Sequence, residues 1–106
     1  DFVTGAGNIG IALWGAPGLG TTSYCNISEN VVYLCGAEGI IAWDSDYSVI
    51  GNNISILNGS YGIHVRDSEH VNLSNNLCYA NESDGIMLQV GNECIVEGNI
   101  CVGSVV

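Results

Sequence analysis

The chain has 106 residues, 47% of them apolar, and a formal charge of −10, with eleven acidic side chains against the single base Arg66. This charge excludes nucleic acid and disfavours anionic membranes as partners, because both are bound mainly through Lys and Arg. The length predicts one domain over 1–106, which we expect to be a module of a longer chain, and no apolar run reaches the ~18–20 residues of a transmembrane helix.

One unit of 23 residues repeats along the chain. The first full copy begins at Gly10 with "GIALWGA" and carries six extra residues, which we place in an insertion loop at 17–22. Later copies begin without further insertion at Gly39, Gly62 and Gly85. An asparagine recurs at the same interval, at Asn30, Asn53, Asn76 and Asn99. The sequence therefore contains about four and a half copies of one unit, which is the signature of a solenoid.

Each copy contains three short stretches in which apolar residues alternate with period two, as in strands that bury one face. In the copy that begins at Gly39, the expected inward residues are Ile40, Ala42, Ser48, Ile50, Ile54 and Ile56. In the next two copies they are Ile63, Val65, Val71, Leu73, Leu77, Tyr79, Ile86, Leu88, Cys94, Val96, Ile100 and Val102. No window has the 3.6-residue apolar stripe of a helix. These patterns predict an all-β solenoid, a parallel β-helix with three short strands per coil and coils ~4.8 Å apart.

The recurring asparagines are expected to form an inward ladder of side-chain amides that satisfies the backbone at one turn of every coil. A second, weaker polar column is expected at Cys35, Asn58, Asn81 and Ser104. A β-sandwich is the alternative, but it would not keep four glycine-isoleucine pairs in register with four asparagines.

The pattern "N-x-I-x-x-N…G-I-x-x-x-x-S-x-x-x-x-I-x-x-N" resembles the right-handed parallel β-helix repeats of the pectate-lyase-like superfamily, in the group known as carbohydrate-binding and sugar-hydrolase repeats. This group includes NosD-like periplasmic proteins, alginate epimerases and many surface proteins of archaea and bacteria. The resemblance covers essentially the whole chain. It implies a right-handed coil and an extracellular, cell-surface or periplasmic location, but its motifs specify a scaffold rather than an activity.

Residues between the inward positions are expected to face solvent. On the strand after each glycine, one outward column is Ala12, Ile41, His64 and Met87, and the next is Trp14, Trp43, Arg66 and Gln89. Exposed tryptophan beside arginine favours sugar binding, because the apolar face of a sugar stacks on an aromatic ring while polar neighbours hold its hydroxyls. The sequence leaves open the alternative that the insertion loop or a partner chain covers Trp14 and Trp43.

Carboxylates follow this strip in each coil. Asp44 and Asp67 lie one coil apart, as do Asp46 and Glu69, and a separation near ~5 Å is typical of the carboxylate pairs of glycosidases. The candidate catalytic residues are Asp44, Asp67 and His64. The candidate ligand-binding residues are Trp14, Trp43, Arg66, Asp44, Asp67, Glu69 and His70. A repeated acidic turn creates such a ladder without catalysis, so we do not expect this chain alone to be an enzyme; within one, it would serve a polysaccharide lyase, epimerase or glycosidase.

No cofactor is expected, and calcium and copper are the two metal ions that the residues could hold as alternatives. Stacked carboxylates could hold calcium, but the glycine- and aspartate-rich nonapeptide of calcium-binding β-rolls is absent. His64 and Met87 share a column on adjacent coils and could hold copper, and the resemblance to NosD-like proteins implies a link to copper delivery. Two ligands without other His or Met nearby make a weak metal site.

Five cysteines, an odd number, leave at least one thiol without a disulfide partner. We expect Cys78 and Cys101 to form an outward column one coil apart. Cys25 and Cys94 are expected to point inward, three coils apart, as reduced core residues.

Two functions of different classes follow from these observations. The first is an extracellular or cell-surface module that recognises carbohydrate along the Trp14, Trp43 and Arg66 strip, as part of a polysaccharide-active protein. The second is a structural surface stalk, or a fibre of copies stacked end to end, because a β-helix has unpaired strand edges at its ends. A NosD-like, copper-related periplasmic protein is the minor alternative.

Overall fold

The chain folds into a solenoid of short parallel strands, seen in a computed structural model that describes residues 2–4, 7–14, 24–89 and 93–103. The described residues contain thirteen strands and no helix, hence no helix that could span a membrane. The strands are β1 (Phe2–Thr4), β2 (Ile11–Trp14), β3 (Asn26–Ser28), β4 (Val31–Tyr33), β5 (Ile40–Trp43), β6 (Val49–Gly51), β7 (Ile54–Ile56), β8 (Ile63–Arg66), β9 (Asn72–Ser74), β10 (Leu77–Tyr79), β11 (Ile86–Gln89), β12 (Ile95–Glu97) and β13 (Ile100–Val102). The all-β expectation is confirmed.

Strands one coil apart pair in parallel and build three sheets. Sheet one contains β1, β4, β7, β10 and β13, sheet two contains β2, β5, β8 and β11, and sheet three contains β3, β6, β9 and β12. Strands β3 to β11 make three complete turns, and the described strands on either side add parts of two more, slightly fewer than the four and a half coils expected. The expected insertion at 17–22 lies outside the described residues.

Every corner of the coil contains a residue in the left-handed backbone region. In one coil these residues are Asp44 (φ 52°), Tyr47 (57°), Asn52 (56°) and Leu57 (54°). Inward positions alternate with period two within a strand, but they are three residues apart across each left-handed corner. The buried side chains follow this rule through Ile40, Ala42, Ser45, Ser48, Ile50, Asn53, Ser55 and Asn58.

This phase shift corrects the expectation for the third strand of each coil. Asn53 points into the core, so Ile54 points outward, and in the next coil Cys78 is 1% exposed whereas Tyr79 is 49% exposed. Adjacent residues of one strand cannot both face inward, so the prediction that Ile54, Ile56, Leu77, Tyr79, Ile100 and Val102 point inward is wrong, as is the prediction that Cys78 points outward. The outer face of sheet one is therefore apolar, with no charged side chain on β4, β7, β10 or β13.

The asparagine ladder forms as predicted. The Nδ2 of Asn53 donates to Oδ1 of Asn76 at 3.1 Å, and the Nδ2 of Asn76 donates to Oδ1 of Asn99 at 2.9 Å. The same oxygens accept backbone N–H groups, so that Asn53 N donates to Oδ1 of Asn76 at 3.0 Å. Each amide therefore satisfies backbone and side-chain groups of the adjacent coil, which makes the burial of this polar column favourable.

The second polar column also forms, with two stacked asparagines where the first has four. Asn58 and Asn81 are fully buried, and Nδ2 of Asn58 donates to Oδ1 of Asn81 at 2.9 Å. The backbone N–H of Cys35 donates to Oδ1 of Asn58 at 3.0 Å. This column has one amide–amide hydrogen bond against three in the first, which agrees with the expectation of a weaker column, and Ser104 lies outside the described part of the chain.

The repeated glycines are required by close contacts inside the coil. A Cβ placed on Gly62 would lie 2.7 Å from Nδ2 of Asn81, 2.7 Å from the carbonyl oxygen of Gly85 and 3.0 Å from Sγ of Cys78. Only a residue without a side chain fits between the amide column and the next coil. The first residue of each copy thus lets the strand of sheet two begin directly against the core.

Candidate functional site

Most candidate residues meet at the corner between sheets two and three. We call this region the corner surface, formed by Trp43, Asp44, Asp46, Tyr47, Arg66, Asp67, Glu69 and His70. A buried serine pair supports it from below, because the N–H of Ser45 donates to Oγ of Ser68 at 2.9 Å, and that hydroxyl donates to the carbonyl of Arg66 at 2.9 Å. The corner is therefore tied to the hydrogen-bonded interior of the coil.

Arg66 packs over Trp43. The guanidinium carbon lies 4.1 Å from the centroid of the indole ring, in cation–π geometry, and Nε lies 3.5 Å from Oδ2 of Asp67. The guanidinium group covers one face of the tryptophan, so that face cannot stack on a sugar unless Arg66 moves. Trp14 lies on β2 in register with Trp43, but its side chain lies outside the described residues.

The four carboxylates of the corner surface have different partners. Oδ1 of Asp46 accepts the backbone N–H of Glu69 at 2.9 Å and so links two coils. Asp67 pairs with Arg66, whereas Asp44 is half-buried at its left-handed position. Because the corner surface has four carboxylates and one guanidinium, it is negatively charged and attracts cations and amines.

A stack of three rings lies at the second half of this corner. The rings of Tyr24 and Tyr47 are 5.2 Å apart with an interplanar angle of 11°, and those of Tyr47 and His70 are 4.6 Å apart with an angle of 9°. Nδ1 of His70 lies 3.2 Å from a carboxylate oxygen of Glu93 on the following coil. Tyr24 and Tyr47 are 79% and 48% exposed. Because Tyr47 is stacked between Tyr24 and His70, it offers the edge of its ring to solvent rather than a face.

His64 lies beneath the surface, so the expectation that its column faces solvent is wrong for His64 and Ile41. The imidazole is 5% exposed, and the ring of Tyr61 lies over it with centroids 4.9 Å apart. Nε2 of His64 lies 3.2 Å from Oε1 of Gln89, within hydrogen-bond distance. Nδ1 lies 3.4 Å from Oε1 of Glu38, close enough for an ion pair, but this contact does not have the geometry of a hydrogen bond. Its polar contacts are thus with Glu38 and Gln89 rather than with the corner carboxylates.

The candidate metal ligands His64 and Met87 are in register on β8 and β11. Both ring nitrogens of His64, however, already face oxygen atoms of other side chains. Within the described ranges, no group of three or more His, Cys, Asp or Glu side chains is arranged to hold a metal ion.

Two groups of residues near the site were not among the sequence candidates. Tyr24 and Tyr47 precede His70 at the repeat interval, which is the signal that could have identified the ring stack. Glu38 and Tyr61 share another column of the repeat, but their approach to His64 depends on how the connecting segment folds over sheet two. No interval in the sequence indicates that fold.

Comparison with known proteins agrees with the geometry. A family model described as a right-handed β-helix region matches residues 3–105. The crystal structure of the periplasmic alginate epimerase AlgG superposes with a TM-score of 0.77 and 16% identity, covering 93% of this chain and 32% of the epimerase chain. A double-substitution variant of that epimerase gives a TM-score of 0.68 and 14% identity, covering 93% and 33%.

The chain therefore spans about a third of the length of these structures, and at this identity the likeness concerns the fold alone. No curated protein matches the chain in sequence.

Proposed function

Because the chain belongs to the right-handed β-helix family, we propose that it is a polysaccharide-related module that recognises carbohydrate on the corner surface, outside the cytoplasm. The observation that carries the proposal is the ring stack beside the Trp43 and Arg66 pair, with carboxylates between them. The exposed edges of the stacked rings supply apolar contact to a sugar, and carboxylates accept hydrogen bonds from its hydroxyls.

The geometry favours a glycan that runs along the solenoid axis. Coils are spaced ~4.8 Å apart, so equivalent side chains recur along the axis at this interval. Tyr24, Tyr47 and His70 repeat at this spacing, so successive sugars would meet equivalent groups on successive coils. A rigid ladder of this kind needs no ordering on binding, which limits the entropic cost.

Charge selects the class of glycan. The corner surface has four carboxylates, and its only guanidinium is already paired with Asp67. A polyanion such as alginate would be repelled, whereas a neutral or amine-bearing glycan would be accepted. We therefore propose a ligand different in charge from that of the epimerase with the similar fold.

We do not propose catalysis on the corner surface. Asp46 and Asp67 have structural partners, and His64 is covered by Tyr61. A hydrolase or lyase needs an acid and a base that converge on one substrate atom. Recognition needs only the exposed rings and acceptors.

Calorimetric titration of the chain with chitosan, cello- and alginate oligosaccharides tests this proposal. Tyr47→Asn removes a ring while keeping a residue that tolerates the left-handed backbone, and should weaken binding by about tenfold, or ~1.4 kcal/mol. Tyr79→Asn is the matched control, because Tyr79 is 49% exposed on sheet one, away from the corner, against 48% for Tyr47. Equal losses in both variants, or no heat with any of the three sugars, would contradict carbohydrate recognition at the corner.

The alternative is a structural stalk or fibre module. It is supported by the two polar columns, whose hydrogen bonds join successive coils into a rigid stack. Light scattering coupled to size exclusion distinguishes the two functions. A mass that grows with concentration, together with rods in negative stain, would support the stalk, and a constant monomer mass would refute self-stacking.

A further inference from the structure

Two cysteines lie side by side inside the solenoid. Cys78 on β10 and Cys101 on β13 are direct partners in the parallel register. Cys78 is 1% exposed, and Cys101 follows it in the same column of the next coil. Both belong to the inward column that contains Val32 and Ser55 in earlier coils.

The glycine column leaves room for both sulfur atoms. A Cβ on Gly85 would lie 2.7 Å from Cβ and Sγ of Cys101 and 3.2 Å from Cβ of Cys78, whereas Sγ of Cys78 lies near Gly62. The two sulfur atoms therefore lie over successive glycines of one column, in neighbouring coils. The ~4.8 Å spacing of paired parallel strands lies within the ~4.4–6.8 Å range of Cα separations in disulfides. A bond between them therefore requires rotation of the cysteine side chains toward each other, but no movement of whole strands.

The two thiols differ in exposure. Burial, the charge of Cys101 and a hydrogen bond with its side chain all raise the pKa of the Cys78 thiol, which keeps it protonated and unreactive toward solvent. Cys101 is exposed and accessible to a reagent. One cysteine is therefore available to an oxidant, and the other is positioned to act only on its neighbour.

We propose that Cys78 and Cys101 are a redox pair that forms a disulfide between adjacent coils. The Cys101 thiolate attacks an external disulfide, forming a mixed disulfide and releasing one thiolate. As the sulfur of Cys78 attacks Sγ of Cys101, the proton of the Cys78 thiol passes to the leaving sulfur, so the second external thiol is released. Two protein thiols lose two electrons, and the external disulfide is reduced to two thiols.

The cross-link closes a loop of one coil and fastens β13 to β10. All five cysteines are reduced in the structure, so the bond adds a constraint that the reduced fold does not contain. A closed loop of about 20 residues lowers the entropy of the unfolded chain. The oxidised form should unfold at a temperature higher by about 10 °C.

The test equilibrates the chain with oxidised and reduced glutathione, alkylates free thiols after unfolding, and cleaves with a glutamate-specific protease. Cleavage after Glu69, Glu82 and Glu97 places the two cysteines in separate peptides, 70–82 and 98–106. We expect these peptides to be joined and their summed mass to fall by about 2 Da. We also expect the number of alkylated cysteines to fall from five to three.

Cys78→Ser is the informative variant, because Ser55 occupies the same column and its hydroxyl donates to the carbonyl of Gly62 at 2.8 Å. It should fold, lose the linked peptides and show no rise in melting temperature on oxidation. Cys94→Ser is the control and should keep both. The proposal is overturned if peptides 70–82 and 98–106 are separately alkylated, if Cys101 carries only glutathione, or if Cys94→Ser abolishes the cross-link.

Discussion

Replacing Asn76 with alanine tests whether the asparagine ladder stabilises the coil. Asn76 is 2% exposed and makes four hydrogen bonds through its side chain. Its Oδ1 accepts from N and Nδ2 of Asn53, and its Nδ2 donates to the carbonyl of Ile50 and to Oδ1 of Asn99, at distances of 2.9–3.1 Å. Alanine removes all four and leaves these groups buried without that partner.

The magnitude follows from the groups that lose their partner. A buried polar group without a partner costs ~1–3 kcal/mol. Both the N–H of Asn53 and the carbonyl of Ile50 lose the side chain that satisfies them. Because neighbouring coils can relax slightly, we expect a loss of ~3–5 kcal/mol, a large fraction of the ~5–15 kcal/mol stability of a typical domain.

Equilibrium urea denaturation followed by circular dichroism measures this loss. Asn26→Ala is the matched control, since Asn26 is exposed at the start of β3, and it should change stability by less than ~0.5 kcal/mol. A loss below ~1 kcal/mol for Asn76→Ala, or an equal loss in both variants, would refute the view that the ladder is a stabilising element.

Three further outcomes are expected. Gly62→Ala should destabilise the fold by ~1–3 kcal/mol in urea, since the new methyl would lie 2.7 Å from Nδ2 of Asn81, whereas Gly7→Ala, with nothing within 4 Å, should not. Ala80→Gly should raise the free energy of unfolding by ~0.5 kcal/mol and the melting temperature slightly. Ala80 has φ 53°, and the relief of its left-handed strain outweighs the chain entropy that glycine adds to the unfolded state. A lower melting temperature would contradict this. Above about pH 9, in reductant, the free energy of unfolding of the parent should fall relative to that of Cys78→Ser by ~1.4 kcal/mol per pH unit. The pKa of Cys78 is raised in the folded state, so at this pH the unfolded chain binds fewer protons than the folded chain. Parallel pH profiles of the two proteins would refute this.

The sequence predicted only part of the candidate site. The repeat interval placed Trp43 beside Arg66 and Asp44 beside Asp67, and the strand pairing agrees with that placement for Trp43 and Arg66. It did not indicate that Arg66 would cover the indole ring, because such packing depends on side-chain rotamers. His64 was expected at the surface, and its burial depends on Tyr61, which folds back over its own strand.

For the third strand of each coil, the sequence pattern predicted the wrong inward face. Apolar residues at Ile54 and Ile56 suggested an inward face, since hydrophobic alternation is normally read as burial. The left-handed Asn52 shifts the phase of the coil, so the ladder residue Asn53 takes the inward position and the isoleucines face outward. A polar residue inside and an apolar residue outside reverse the usual pattern, and only the backbone angle at the corner reveals it.

The sequence by itself determined the repeat, the all-β class, the parallel register and the inward asparagines, because all of these follow from residue types recurring at a constant interval. Stacking equal units places equal residues side by side, whatever the shape of the coil. Only the tertiary structure decided which face of the third strand of each coil points inward, which rings stack, and that Cys78 and Cys101 belong to an inward column. These features depend on corner geometry within the coil, where a single left-handed residue reverses the facing of the strand that follows it.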